Sequence, residues 1–106
     1  MTLGKFRIDI QQTEEANLVR LAGELDLSAA AELRTALDPV VHQADKTLIL
    51  DFGELTYIDS TGIGILVSVV KIRDENRGPF RVRHIPAGIK KLLDLTGISA
   101  FLTERA

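Results

Sequence analysis

Leu48-Ile49-Leu50-Asp51-Phe52, followed by Tyr57-Ile58-Asp59-Ser60-Thr61-Gly62-Ile63-Gly64, joins a short apolar run to a segment of hydroxyls and glycines. Thr47-Leu48-Ile49-Leu50 is a short apolar run, as in a strand buried on both faces. Tyr57-Ile58-Asp59 ends the connection after it. A helix is then expected from about Thr61 to Asn76, stopping before Gly78-Pro79.

Upstream, Phe6, Ile8 and Ile10 alternate with Arg7, Asp9 and Gln11, the period of a half-buried strand. Asn17 to Ala22, with Leu18, Val19 and Leu21, reads as a second strand, and Gln12-Thr13-Glu14-Glu15 as the turn between them. Ser28 has the place of an N-cap, and Ala30, Leu33, Leu37 and Val40/Val41 follow at helical spacing. Pro39 removes a donor and crowds the preceding turn, so this helix is expected to kink or end near Leu37. Downstream, Phe80-Arg81-Val82-Arg83 reads as a strand. Pro86 suits the first turn of a last helix, with Ile89, Leu92 and Leu93 on one face and Gly97 as its C-cap. Ile98 to Leu102 is expected as a final strand. The order β-β-α-β-α-β-α-β predicts an α/β fold, a mixed sheet with helices packed on it. With no linker and no repeat, residues 1–106 are expected to form one domain.

Composition narrows the function classes. In 106 residues there is no Trp, four Phe and one Tyr, so the core must be aliphatic. The net charge is -2 with no long run of one sign, which gives no basic footprint for nucleic acid. The absence of cysteine excludes disulfides, thiolate metal sites and a Cys nucleophile. Met1-Thr2-Leu3-Gly4-Lys5-Phe6 has no apolar signal core, and the run Ile63 to Val70 is far below the ~20 residues that span a bilayer. A soluble, cytoplasmic chain that contacts neither membrane nor nucleic acid is expected.

Two hydroxyls, Ser60 and Thr61, lie between the Asp59 carboxylate and Gly62 at a helix start. Unpaired amides and the positive dipole end tolerate a phosphate there. The plainer reading is that Ser60 caps the helix. Catalytic patterns fit poorly. A nucleophile elbow needs a glycine where Ile58 stands, and its base would have to be His42 or His84, neither in a recognisable motif. A dinucleotide fingerprint needs a third glycine where Val67 stands, and no Gly-Lys-Ser/Thr loop occurs. No metal-ligand spacing recurs. No catalytic residue, metal or cofactor is therefore expected. The helix after Ser60 carries two apolar stripes. Ile63, Leu66, Val67 and Val70 are expected to pack on the sheet. Ile65, Val69 and Ile72 form the other, either buried by neighbouring helices or open as a docking surface beside Ser60.

Tyr57-Ile58-Asp59-Ser60-Thr61-Gly62-Ile63-Gly64 resembles the phosphorylation-site signature of STAS-domain anti-sigma factor antagonists. Gly23-Glu24-Leu25-Asp26 resembles their second-strand motif. Ile89-Lys90-Lys91-Leu92-Leu93-Asp94-Leu95-Thr96-Gly97 resembles their last helix and its exit. The three motifs occur in the right order over nearly the whole chain. The resemblance implies a STAS-like mixed sheet. It also implies a partner switch: the unphosphorylated protein binds an anti-sigma factor that is a serine kinase and so releases a sigma factor. Phosphorylation ends the interaction, and a serine phosphatase restores it. Carried over, Ser60 is the phosphoacceptor. Asp59, with Asp26 on the adjacent strand end, would shape the partner-binding surface; Thr61 and Gly62 adjoin it, and Ile65 and Val69 are expected to extend it if their stripe is the docking surface. Asp59, Asp26, Glu24 and Glu54 make this end acidic, and a phosphate of about -1.5 to -2 charges deepens that field.

Two departures stand out. Family members usually continue into another helix where this sequence has Thr103-Glu104-Arg105-Ala106, and Ile85 stands where a capping Ser is common. Two rival readings stay open: a STAS subunit of a stress-signalling scaffold or lipid-transport complex, and a small nucleotide-binding or hydrolytic protein built around Gly62-x-Gly64.

Overall fold

The computed structural model describes residues 5–102. The expectations attached to Met1-Thr2-Leu3-Gly4 and to Thr103-Glu104-Arg105-Ala106 lie outside them. β1 (Arg7–Gln12) and β2 (Ala16–Leu25) form an antiparallel hairpin. The Thr13 hydroxyl shapes its turn, accepting from the amides of Glu15 and Ala16 at 3.3 and 3.0 Å. β3 (Thr47–Ile58) runs parallel to β2, and β4 (Phe80–Arg83) parallel to β3, giving a mixed sheet in the order β1-β2-β3-β4. α1 (Ala30–Val41) and α2 (Ser60–Glu75) make the two crossovers, and α3 (Ala87–Thr96) follows β4.

Val19 and Leu21 of β2, Leu48, Leu50 and Phe52 of β3, and Val82 of β4 are at most 1% exposed and alternate onto one face. Leu33, Leu37 and Val40 of α1, Leu66 of α2, and Ile89 and Leu93 of α3 join them in one core. Leu18, Arg20, Ile49, Arg81 and Arg83 alternate onto the other face and are half-buried or exposed. β3 is therefore buried by apolar packing on one face, not on both as its short apolar run suggested. It also continues to Ile58, so Tyr57-Ile58 belongs to the strand.

Four local expectations are corrected. α1 runs through Pro39 to Val41: the ring takes away the amide that would donate to the Thr35 carbonyl, and the burial of Leu37, Val40 and Val41 holds the chain in the helix despite that loss. The cap before α1 is Asp26, whose carboxylate accepts from the Ser28 amide and opens a 3-10 turn over Leu27–Ala29. Leu92 points outward from α3 and is 40% exposed, while Ile89 and Leu93 pack inward. Ile98–Phe101 is a 3-10 turn and not a fifth strand: Gly97, left-handed at φ 81°, turns the chain, and the Leu102 amide closes back on the Ser99 carbonyl. α3 starts after Pro86 with no side-chain cap, in keeping with Ile85 in place of a serine.

The buried face of α2 consists of Gly62, Ile65, Leu66, Val69 and Arg73. Ile65 and Val69 are 2% and 4% exposed, so they are core side chains and not a docking stripe. Val67, expected on the sheet, is 42% exposed instead. Arg73 ends the buried face. Its Nη1 donates to the carbonyls of Val41 and Gln43 at 3.0 and 3.1 Å, and its Nη2 to those of Lys46 and Pro79 at 2.7 and 2.9 Å. One guanidinium thus ties the end of α1, the loop into β3 and the loop into β4. Gly78 is required beside it, because a Cβ there would strike the guanidinium.

Candidate functional site

β2 and β3 end side by side, with Leu25 opposite Ile58 as the last registered pair. Each strand is followed by an aspartate in extended backbone. Asp26 has φ -123° and ψ -171°; Asp59 has φ -113° and ψ -173°. The Asp59 amide donates to the Leu25 carbonyl at 3.3 Å, which fixes one strand exit against the other. Asp26 Oδ1 accepts from the Ser28 hydroxyl at 2.6 Å and the Ser28 amide at 3.0 Å, and the hydroxyl bond holds its carboxyl below the usual carboxylate range. Asp59 Oδ1 accepts from the amides of Thr61 and Gly62 at 2.9 and 3.1 Å. Two parallel strand ends thus present two capped turns next to each other.

The helix cap of α2 is accordingly Asp59 and not Ser60. Ser60 is the first residue of α2 and is exposed, and its hydroxyl has no hydrogen-bond partner among the described residues. Thr61 beside it is half-buried. Gly62 is buried, and a Cβ there would lie 2.8 Å from Ile58 and Leu25 side-chain carbons and 3.0 Å from the Leu25 carbonyl oxygen. The close approach of α2 to both strand ends therefore needs a glycine. Gly64 is exposed and a Cβ there would meet nothing within 4 Å. Gly62→Ala is expected to destabilise by about 1–3 kcal/mol through overpacking. Gly64→Ala is expected to stabilise by about 0.5–1 kcal/mol, the helix-propensity difference. Urea unfolding of the two variants checks this; equal effects would remove the steric account of Gly62.

Two exposed apolar side chains flank the aspartates. Leu27, directly after Asp26, is 73% exposed, and Tyr57, two before Asp59, is 48% exposed. Glu24 pairs with Tyr57 across the strands and adds a further acid. Glu54 is drawn off toward β1 by a long 3.7 Å pair with Arg7. Sequence reasoning passed over Leu27 and Tyr57; the available signal was their place against two cap residues at adjacent strand exits.

A second polar cluster lies on the open face of the sheet, around Asp51, which is 9% exposed. Arg83 Nε lies 3.3 Å and His84 Nδ1 3.2 Å from its carboxylate, and the Gly53 amide donates to it at 2.9 Å. His84 adopts the left-handed region at φ 58°. Burial pushes the Asp51 carboxyl up, but the Gly53 amide, His84 and Arg83 outweigh it and hold the group below the usual range. The stability it contributes is present above the unfolded carboxylate pKa, ~3.9, and lost as pH falls through its lower folded value. The stability difference between the wild type and Asp51→Asn is therefore expected to be constant above about pH 5 and to shrink below about pH 4. Urea unfolding at pH 7, 4 and 3 measures it; a pH-independent difference would count against the assignment. β3 runs seven residues from Asp51 to Ile58, so His84 and Ser60 lie roughly 20 Å apart. His42 caps the far end of α1. Neither histidine can serve Ser60 as a base.

At the paired strand exits of this α/β fold, an unbonded serine thus starts a helix beside two capping aspartates and exposed apolar side chains. Residues 8–104 match the family described as Mlab, STAS domain. The chain is 33% identical over 94 residues to the anti-sigma-B factor antagonist of Bacillus subtilis, covering 88% of this chain and 84% of that one. Among solved structures, it is similar to an anti-sigma factor antagonist from Mycobacterium paratuberculosis. The TM-score is 0.84 at 20% identity, covering 95% of this chain and 86% of that one. The Bacillus cell fate determinant SpoIIAA in its phosphorylated form matches with a TM-score of 0.71 at 22% identity, covering 96% and 92%. This chain belongs to the STAS-domain anti-sigma factor antagonist family and is a binding protein, not an enzyme. No helix among the described residues is long and apolar enough to cross a membrane.

Proposed function

We propose that this protein is a cytoplasmic anti-sigma factor antagonist whose binding is switched by phosphorylation of Ser60. Unphosphorylated, it binds an anti-sigma factor that is a serine kinase, and a sigma factor is released. The kinase transfers phosphate to Ser60, the complex separates, and a serine phosphatase restores the binding form. The observation that carries this reading is the free, exposed Ser60 hydroxyl: Asp59 does the capping, so the serine is left available without weakening α2. Asp26, Asp59 and Thr61 form the partner-facing surface, with Leu27 and Tyr57 as its exposed apolar contacts, while Gly62 is buried behind it and lets α2 start close to the strand ends. The similarity to an antagonist in Bacillus subtilis, and to a SpoIIAA solved in a phosphorylated form, supports the same assignment.

Incubation with the cognate kinase and ATP, followed by mass spectrometry, tests the site. Phosphate is expected on Ser60 and absent from Ser60→Ala, which stays bound to the anti-sigma factor. Phosphate chiefly on Thr61, or none, would falsify the proposal.

A further inference from the structure

Between the C-terminal half of α2, the start of β4 and the turn Ile98–Phe101 lies a groove of about 690 Å³. Val67, Val70, Phe80, Ile98 and Phe101 make its apolar walls. Val67 is 42% and Phe101 64% exposed, so the groove leaves apolar surface open to water. Lys71, Asp74 and Arg77 contribute the polar lining, and neither Lys71 nor Arg77 has an ion-pair partner among the described residues. Arg73 also lines the groove, and its buried Nε has no acceptor among the described residues. Three cationic side chains thus stand against one carboxylate, in a chain whose net charge is -2. Ser60 and Arg73 are thirteen residues apart on α2, roughly 20 Å along the helix, so this groove is separate from the Ser60 end.

The geometry points to this groove as a binding site for a small amphiphile with an anionic head, a medium-chain fatty acid carboxylate being the simplest. The volume falls in the range of small-molecule sites, roughly 300–1,000 Å³, and apolar walls with a few convergent polar groups are the usual make-up of such sites. The walls take the acyl chain, and Lys71 and Arg77 meet the carboxylate at the rim. A neutral ligand would leave both cations unused. A site of this kind does not depend on the antagonist reading, and it would place a metabolite-sensitive surface on the same helix that begins with Ser60.

Octanoate and 1-octanol, titrated separately into the full chain, test the inference by NMR. Saturable shifts are expected at Val67, Val70, Ile98 and Phe101 with octanoate at millimolar concentration, and weaker ones with 1-octanol. The exposed double variant Lys71→Glu/Arg77→Glu is expected to weaken octanoate about tenfold, as loss of two favourable charge contacts implies, and to leave 1-octanol unchanged. Phe101→Ser is expected to weaken both ligands. No saturable shift with octanoate overturns the proposal, as does equal binding of the two ligands. Shifts at these residues that appear with protein concentration alone, accompanied by a dimer in sedimentation, would assign the groove to a second copy and overturn it as well.

Discussion

Replacing Arg73 by Met is expected to remove roughly 3–5 kcal/mol of folding stability, a large part of what a chain of this size possesses. The side chain is 3% exposed, and all four of its Nη hydrogens are given to backbone carbonyls. Three of those carbonyls keep another donor. Val41 still accepts from Asn76 Nδ2, Gln43 from the Lys46 amide and Pro79 from the Leu48 amide. The Lys46 carbonyl loses the sole donor it has among the described residues. The loss is therefore that of several charge-assisted bonds plus one orphaned acceptor, and not of four orphans. Met fills most of the volume, so little of the effect arises from a cavity. Arg73→Lys is expected to recover only part of it, because a single ammonium cannot reach carbonyls that the flat guanidinium spans. Urea unfolding monitored by circular dichroism measures both variants. A loss below about 1 kcal/mol for Arg73→Met would mean that the loops are held by their own backbone bonds.

Arg73 also explains why one face of α2 was misread from sequence. Two stripes on this helix are apolar, and helical spacing alone does not choose between them. Gly62 must face Leu25 and Ile58, and residues three, four, seven and eleven further on are Ile65, Leu66, Val69 and Arg73. That set puts an arginine on the buried face, which a hydrophobicity pattern counts against burial. Its partners are carbonyls from the end of α1 and from the two loops into β3 and β4, brought together only by the fold. The strands and helices themselves were legible, because alternation in β1 and helical spacing in α1 are local signals. The last expected strand was not: five residues, Ile98-Ser99-Ala100-Phe101-Leu102, are too few to tell a strand from a 3-10 turn by period. The strand exits were legible as the motif around Ser60. The role of Asp59 as the cap, and the exposure of Leu27 and Tyr57 beside it, required the register of β2 on β3.

Ser60→Asp is expected to weaken binding to the anti-sigma factor on the order of tenfold to a hundredfold while leaving the fold in place. Two effects on stability nearly cancel. A carboxylate in the first turn of α2 gains about 0.3–1 kcal/mol from the helix dipole. Asp59 already occupies the amides of Thr61 and Gly62, however, so the new charge finds those donors taken and lies beside a carboxylate. A net change within about 0.5 kcal/mol follows, the usual range for an exposed substitution. Binding has no such compensation. Asp26, Asp59 and Glu24 already give the strand exits a negative field, and a partner built to meet it must accept one more charge and more bulk at the centre of the contact. Phosphate carries about -1.5 to -2 charges and a larger group, so phosphorylated Ser60 is expected to bind more weakly still. Isothermal titration against the anti-sigma factor, with a melting curve on the same samples, separates the possibilities. Weak binding with an unchanged melting temperature places the switch at the interface. Weak binding with a collapsed melting temperature would place it in the fold of α2, and unchanged binding would remove Ser60 from the contact altogether.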